Sequence, residues 1–261
     1  GLLKLGKLIQ FIPFTITVGF TSGIALTIVI GQLKDFFGIT YAQGTAAVET
    51  MDKLKALFLN FGTFNWYAFL VGALCFAILI FWPKICKKIP GSLIAVLFGI
   101  GITALLKHFG IQVNTINDLY TVSAGFPKFT FPSVDFSEIG AILPDAFTIA
   151  VLAAIESLLS CVVADGMIGA KHNSNMELVA QGVGNIGSAL FGGIPATGAI
   201  ARTAANIKNG GRTSVAGMVH AVCLLLVLLV LMPYAGLIPM PAIAAILLMV
   251  AYNMCEWRQF V

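Results

Sequence analysis

AILPDAFTIAVLAAIESLLSCVVADGMIGA, residues 141–170, is apolar enough to cross a bilayer yet carries a carboxylate, Glu156, near its middle. A span needs about 20 mostly apolar residues. An ionised side chain at the centre of one costs about 2.5–3.5 kcal/mol on insertion scales. Glu156 is therefore expected to face protein and to have a partner there. A second helical segment follows, NMELVAQGVGNIGSALFGG at 175–193, and then GGIPATGAIARTAANIKNGGRT at 192–213. The last run is too short and too rich in Gly, Pro, Thr and Arg for an ordinary spanning helix. A buried carboxylate followed by a broken helix is how a membrane protein builds a small binding site at mid-depth.

Outward from that stretch the composition agrees. Of 261 residues, 59% are hydrophobic and 10% are charged; mean hydropathy is +0.97. Soluble domains carry about 25% charged residues, so the chain is expected to be an all-α integral membrane protein. No cleavable signal segment is expected at its start. The opening GLLKLGKL and the closing EWRQFV read as the edges of a segment of something longer. Cys75, Cys86, Cys161, Cys223 and Cys255 show no CxxC pairing and read as small apolar side chains.

Apolar runs predict spans near 10–31, 65–82, 90–107, 142–163, 176–191, 214–232 and 238–253, with a short one at 197–208. Residues 33–64 read as amphipathic and partly helical. Residues 109–140 read as an irregular or strand-like cover, from the alternation of Phe129, Phe131, Val134 and Phe136. Lys4, Lys7, Lys84, Lys87, Lys88, Lys171, Lys208, Arg212 and Arg258 fall on one side, and Lys34, Lys53, Lys55, Lys107 and Lys128 on the other. The second group is interspersed with Asp35, Glu49, Asp52, Asp135 and Glu138. By the positive-inside rule the first side is cytoplasmic, with both ends inside a multi-pass cell-membrane protein. Alternation holds only if 197–208 counts as a crossing, which argues for a half-helix preceded by a short extended segment.

Glu156 with Ser160 one turn on, and Ser157 beside it, suits a proton carrier or a sodium ligand set. A structural acid within helix packing leaves the same trace. Asp165 lies near the helix end, where a gating or capping role fits. Gly192, Gly193 and Pro195 prevent regular helix, and Thr197 is the expected N-cap of the following one. Amides at the start of such a helix face a cavity with the positive dipole end, which suits an anion. Thr197, Gly198, Ala199, Ile200, Ala201 and Arg202 are the candidate anion-binding residues, Arg202 either as fixed charge or paired with an acid elsewhere. Ser174 and Glu177 read as a capping box. Gly182, Gly184 and Gly187 favour close helix packing. His108 and His172 read as solvated loop residues, and His220 as an internal packing or hydrogen-bonding residue. No zinc-type cluster, phosphate-binding loop or Ser/His/Asp set is evident, so no cofactor and no enzymatic activity are expected. Nothing in the charge pattern suggests nucleic acid.

The run AAIESLLSCVVADGMIGAKHNSNMELVAQGVGNIGSALFGGIPATGAIARTAANIKNGGRT, 153–213, resembles the signature region of the SulP/SLC26 anion transporters, most similarly the bacterial DauA-like dicarboxylate transporters. FIPFTITVGFTSGIALTIVIGQLKD, 11–35, resembles the family's fifth helix. The resemblance implies a fourteen-helix transport domain of two inverted seven-helix repeats, of which this chain spans helices five to twelve. It implies gate helices at 1–108, an extracellular connection at 109–140, a substrate-binding core at 141–235 and the start of a second gate segment at 236–261. It implies an elevator-type secondary transporter of a sulfate-type inorganic anion, and the pairing of Glu156 with Ser160 favours protons as the coupling ion. A C4-dicarboxylate or sodium-coupled bicarbonate carrier, a channel and a non-transporting scaffold stay open. It implies a homodimer in the bilayer with a STAS domain outside this stretch. It places Glu156 and Ser160 at the ion-coupling position, with H+ or Na+ as coupling ion, and 197–202 at the anion.

Overall fold

The computed structural model describes residues 1, 2, 4, 6, 14–41, 47–86, 89–121, 125–131 and 137–255. Lys7, Lys87, Lys88, Val134, Asp135, Phe136 and Arg258, used in the charge and loop readings above, lie outside them. The described residues are helical, with no strand among them; the one β-bridge joins Thr115 and Pro239. In order they form α1 (Phe14–Phe36), α2 (Thr50–Leu59), α3 (Trp66–Ile85), α4 (Gly91–His108), α5 (Ile116–Leu119), α6 (Ile139–Ile168), α7 (Ser174–Leu190), α8 (Ile200–Lys208), α9 (Val215–Leu226), α10 (Met232–Ala235) and α11 (Met240–Met254). A π-helical stretch, Val227–Leu231, joins α9 to α10. Among the described residues four helices, Trp66–Ile85, Gly91–His108, Ile139–Ile168 and Val215–Ala235, are long and apolar enough to cross a membrane. Each expected span coincides with a helix to within a few residues.

The chain divides into two compact units. One is Gly1–Pro13 with Gly125–Leu229, the other Phe14–Ala124 with Val230–Val261. In the second, α11 packs with α1, α3 and α4 although most of the chain separates it from α1. Small residues make the approach close, as in helix packing within lipid, where van der Waals contact replaces the hydrophobic drive. Val71, Cys75, Ala95, Ala242 and Ala245 form the buried centre, with Phe36 and Phe76 against it. Phe36, Phe37, Phe61, Phe64, Trp66 and Phe69 build an aromatic cluster by mostly edge-on and tilted contacts. Asn65 caps α3, its side chain accepting from the amides of Tyr67 and Ala68.

In the first unit, α6 has 30 residues, about 45 Å at 1.5 Å per residue. It ends at Gly169, whose φ of 69° is the left-handed C-cap conformation that glycine adopts without strain. α8 has only 9 residues, about 13 Å, less than half the ~30 Å hydrocarbon thickness. The segment before it, 193–199, has no regular structure, and Ala199 is extended, with φ −114° and ψ 108°. The half-helix with its extended lead-in is present. Its helical start is Ile200, three residues later than the expected 197.

Candidate functional site

The face of α6 made by Ala153, Glu156, Ser157 and Ser160 meets the start of this broken helix. These positions are three, four and seven residues after Ala153, a single stripe on a helix. The Thr197 hydroxyl donates to the Ala153 carbonyl at 2.8 Å. A Cβ on Gly198 would lie 3.2 Å from the Ser157 Cα and 3.3 Å from the Ser160 Oγ. Residue 198 therefore approaches α6 at a distance that favours glycine. Ser157 and Ser160 are buried, 1% and 4% exposed, so their hydroxyls must find partners within the protein. Ser160 donates to the Glu156 carbonyl oxygen at 3.0 Å, and Ser157 to the Glu177 carboxylate at 2.6 Å.

The Ser160 hydroxyl thus bonds the backbone of Glu156 and not its carboxylate. That carboxylate is half-buried, and among the described residues it has no hydrogen bond or ion pair. The partner expected from insertion cost is absent from this set. Arg202 is exposed, and no carboxylate among the described residues pairs with it. Ala199 and Ile200 bracket the helix start; Ala201 lies in the first turn.

α7 supplies the other wall. Gln181 donates to the Ala196 carbonyl. Asn185 brackets the same residue: its carbonyl accepts from the Ala196 amide at 2.7 Å, and its NH2 donates to the Ala196 carbonyl at 2.9 Å. Ser188 donates to the Ile194 carbonyl at 2.9 Å. The sequence reading missed Gln181 and Asn185. The available signal was a polar pair four apart, followed by a serine, in a helix otherwise rich in Gly, Ala and Val. Beside them, the Thr130 amide donates to the Leu190 carbonyl at 2.9 Å, and Phe126 and Phe129 make edge-on contacts with Phe191. The described part of the Phe-rich connection is an irregular cover over the end of α7.

Several local expectations need correction. Thr197 does not cap α8: the N-cap is Ala199, and the Thr197 hydroxyl is taken by α6. Ser174 and Glu177 form no capping box. Asn173 caps α7, accepting from Asn175 and Met176, and Glu177 turns to Ser157. His172 is not a solvated loop residue. Its Nδ1 lies 2.7 Å from Asp165 Oδ2, its amide donates to the same oxygen, and its Nε2 lies 2.9 Å from Ser174 Oγ. An Asp–His–Ser line therefore does exist, within one connection. With Nδ1 protonated, each member satisfies the next and the line closes the α6–α7 turn. His220 is exposed, and no Cβ placed on Gly182, Gly184 or Gly187 meets a neighbour within 4 Å. Gln181, Asn185 and Ser188 of α7 bond the unwound segment instead.

The sulfate permease family model matches residues 1–261. The candidate sulfate transporter YvdB of Bacillus subtilis is 43% identical over 99% of this chain and 48% of its own length. The bicarbonate transporter BicA of Picosynechococcus sp. is 37% identical over 98% of this chain and 44% of its own. The solved transmembrane domain of a cyanobacterial BicA superposes with a TM-score of 0.85 at 34% identity, covering 98% of this chain and 64% of that one. Murine Slc26a9 in the inward-facing state shares the fold, with a TM-score of 0.80 at 20% identity. The chain spans about half the length of the curated relatives it matches. With a whole-length family match and the fold of these membrane domains, it belongs to the sulfate permease family.

Proposed function

We propose that this chain is the central part of a secondary transporter of an inorganic anion, of the sulfate type, working by elevator movement in the cell membrane. The observation that carries the reading is the meeting of the broken helix with the Glu156 face of α6, where Gly198 packs against Ser157 and Ser160. The anion sits at residues 197–201, against main-chain amides at the start of α8, with the Arg202 guanidinium as fixed charge. Glu156, half-buried and without a bonded partner among the described residues, carries the coupling proton. The moving core is residues 141–235, most of which fall in the unit of Gly1–Pro13 with Gly125–Leu229, and the gate is residues 1–108 with 236–261. In the complete protein both ends of this stretch are cytoplasmic, the assembly is a homodimer and a STAS domain follows. Similarity to BicA favours a second reading, a bicarbonate transporter built on the same residues.

The test uses the complete gene product in liposomes, with labelled sulfate and labelled bicarbonate compared under an inward proton gradient. Gradient-driven sulfate uptake, with Glu156→Gln losing the stimulation by the gradient, is the expected result. Bicarbonate uptake alone selects the second reading. Uptake and pH dependence unchanged in Glu156→Gln would remove Glu156 from coupling.

A further inference from the structure

The backbone between Gly193 and Ala199 has no regular secondary structure, so something other than a helical or strand ladder must fix it. Among the described residues the bonds that hold Ile194 and Ala196 come from α7 side chains: Ser188 to the Ile194 carbonyl, and Gln181 and Asn185 to Ala196. Asn185 differs from the others in kind. A carboxamide has one acceptor and one donor side by side, and here the acceptor takes the Ala196 N–H while the donor meets the Ala196 C=O. This reproduces the two-bond exchange of a β-bridge. It fixes the position and the rotation of residue 196 together, which one hydrogen bond cannot do. The Asn185 NH2 also donates to the Gln181 carbonyl at 3.1 Å, which ties it back to its own helix. Two residues on, Gly198 has only about 3.2–3.3 Å between a notional Cβ and α6. A slip at 196 therefore passes straight into the fit at 198.

We infer that Asn185, seconded by Gln181, is a positioning residue that sets the register of the unwound segment and so the spacing of the anion-binding amides. The inference rests on the reading that residues 197–202 receive the anion. Asn185 itself touches no substrate. Loss of the bracket weakens anion binding and leaves the movement that carries the anion largely intact.

The experiment compares the complete wild-type gene product with Asn185→Ala, Asn185→Asp and Gln181→Ala in proteoliposomes, reading KM and maximal rate for labelled sulfate and, separately, amide hydrogen exchange across 194–201. Asn185→Ala is expected to raise KM about tenfold, the scale of one or two lost hydrogen bonds, with the maximal rate within about twofold and faster exchange at Ala196 and Thr197. Gln181→Ala, which leaves the bracket in place, is expected to give the smaller KM change. Asn185→Asp keeps the acceptor but sets a carboxylate against the Ala196 carbonyl. Its KM is expected to be raised at neutral pH and to recover on acidification more than the wild-type KM changes, because a protonated Asp can donate again. If Asn185→Ala does not insert, Asn185→Asp and Gln181→Ala carry the same comparison. Unchanged KM with unchanged exchange at 196–197, or a fall in maximal rate at constant KM, would overturn the inference. Wild-type protein that moves neither sulfate nor bicarbonate would instead strike the functional reading, and the exchange data would still report whether Asn185 holds the segment.

Discussion

At Gly198 the unwound segment leaves little room beside α6. A methyl group there would meet backbone and hydroxyl atoms of α6 at 3.2–3.4 Å, tighter than ordinary carbon contact. Overpacking of this kind costs about 1–3 kcal/mol, and here it acts on the residue that opens the proposed anion site. Gly198→Ala is expected to weaken sulfate binding by roughly that amount while protein yield and helix content hold, read from KM in proteoliposomes and from circular dichroism. Partial recovery in Gly198→Ala combined with Ser160→Ala, which removes the nearest hydroxyl, would localise the clash. Recovery by no α6 substitution would move the cause elsewhere. The identities of these residues were legible in the sequence, because small residues beside a mid-span acid are an uncommon pattern. Their partners were not: the Ala153 carbonyl that takes Thr197 lies 44 positions away, and no local rule connects the two.

At the scale of elements the same lesson recurs. Glycines and Pro195 announced that the helix would break, because those residues either lack a backbone donor or relax φ, wherever they stand. Where the new helix starts was not legible: it begins at Ile200 with Ala199 as its N-cap, while the Thr197 hydroxyl donates to the Ala153 carbonyl of α6. Glu177 behaves alike, leaving the cap of α7 to Asn173 and turning to Ser157. α5 shows a local rule that does hold. The Thr115 amide and hydroxyl both donate to Asp118 Oδ2, at 2.8 and 2.7 Å. These bonds favour the ionised form and hold the Asp118 carboxyl below the ordinary 3.8. A depressed acid stabilises the folded turn above its unfolded pKa, and the contribution is lost as pH falls through the folded value. Amide protection across Ile116–Leu119, corrected for intrinsic exchange, is therefore expected to hold at neutral pH and to drop once the pH falls below the ordinary carboxylate value. Asp118→Asn should flatten that profile, and a drop that persists in Asp118→Asn would assign it to another group.

The whole molecule was legible in outline because the bilayer restricts the choices. With no water to satisfy backbone groups, a chain of this composition must be helical wherever it meets lipid, and the expected spans fall on helices. The division into two units that each draw on separated stretches of sequence was less so, since α11 packs with α1, α3 and α4, and meets α3 and α4 at Gly72 and Gly99, small residues that carry no pattern of their own. A carrier and a channel could share every helix described here. They differ in whether the site is open to one side at a time, as alternating access about a fixed mid-membrane site requires. Counterflow separates them: labelled sulfate uptake into liposomes holding the complete protein, either empty or preloaded with unlabelled sulfate. The account predicts faster entry of label into the preloaded vesicles, saturable in external sulfate and lost in Gly198→Ala at substrate concentrations below the wild-type KM. Entry of label at the same rate into both sets of vesicles would contradict it.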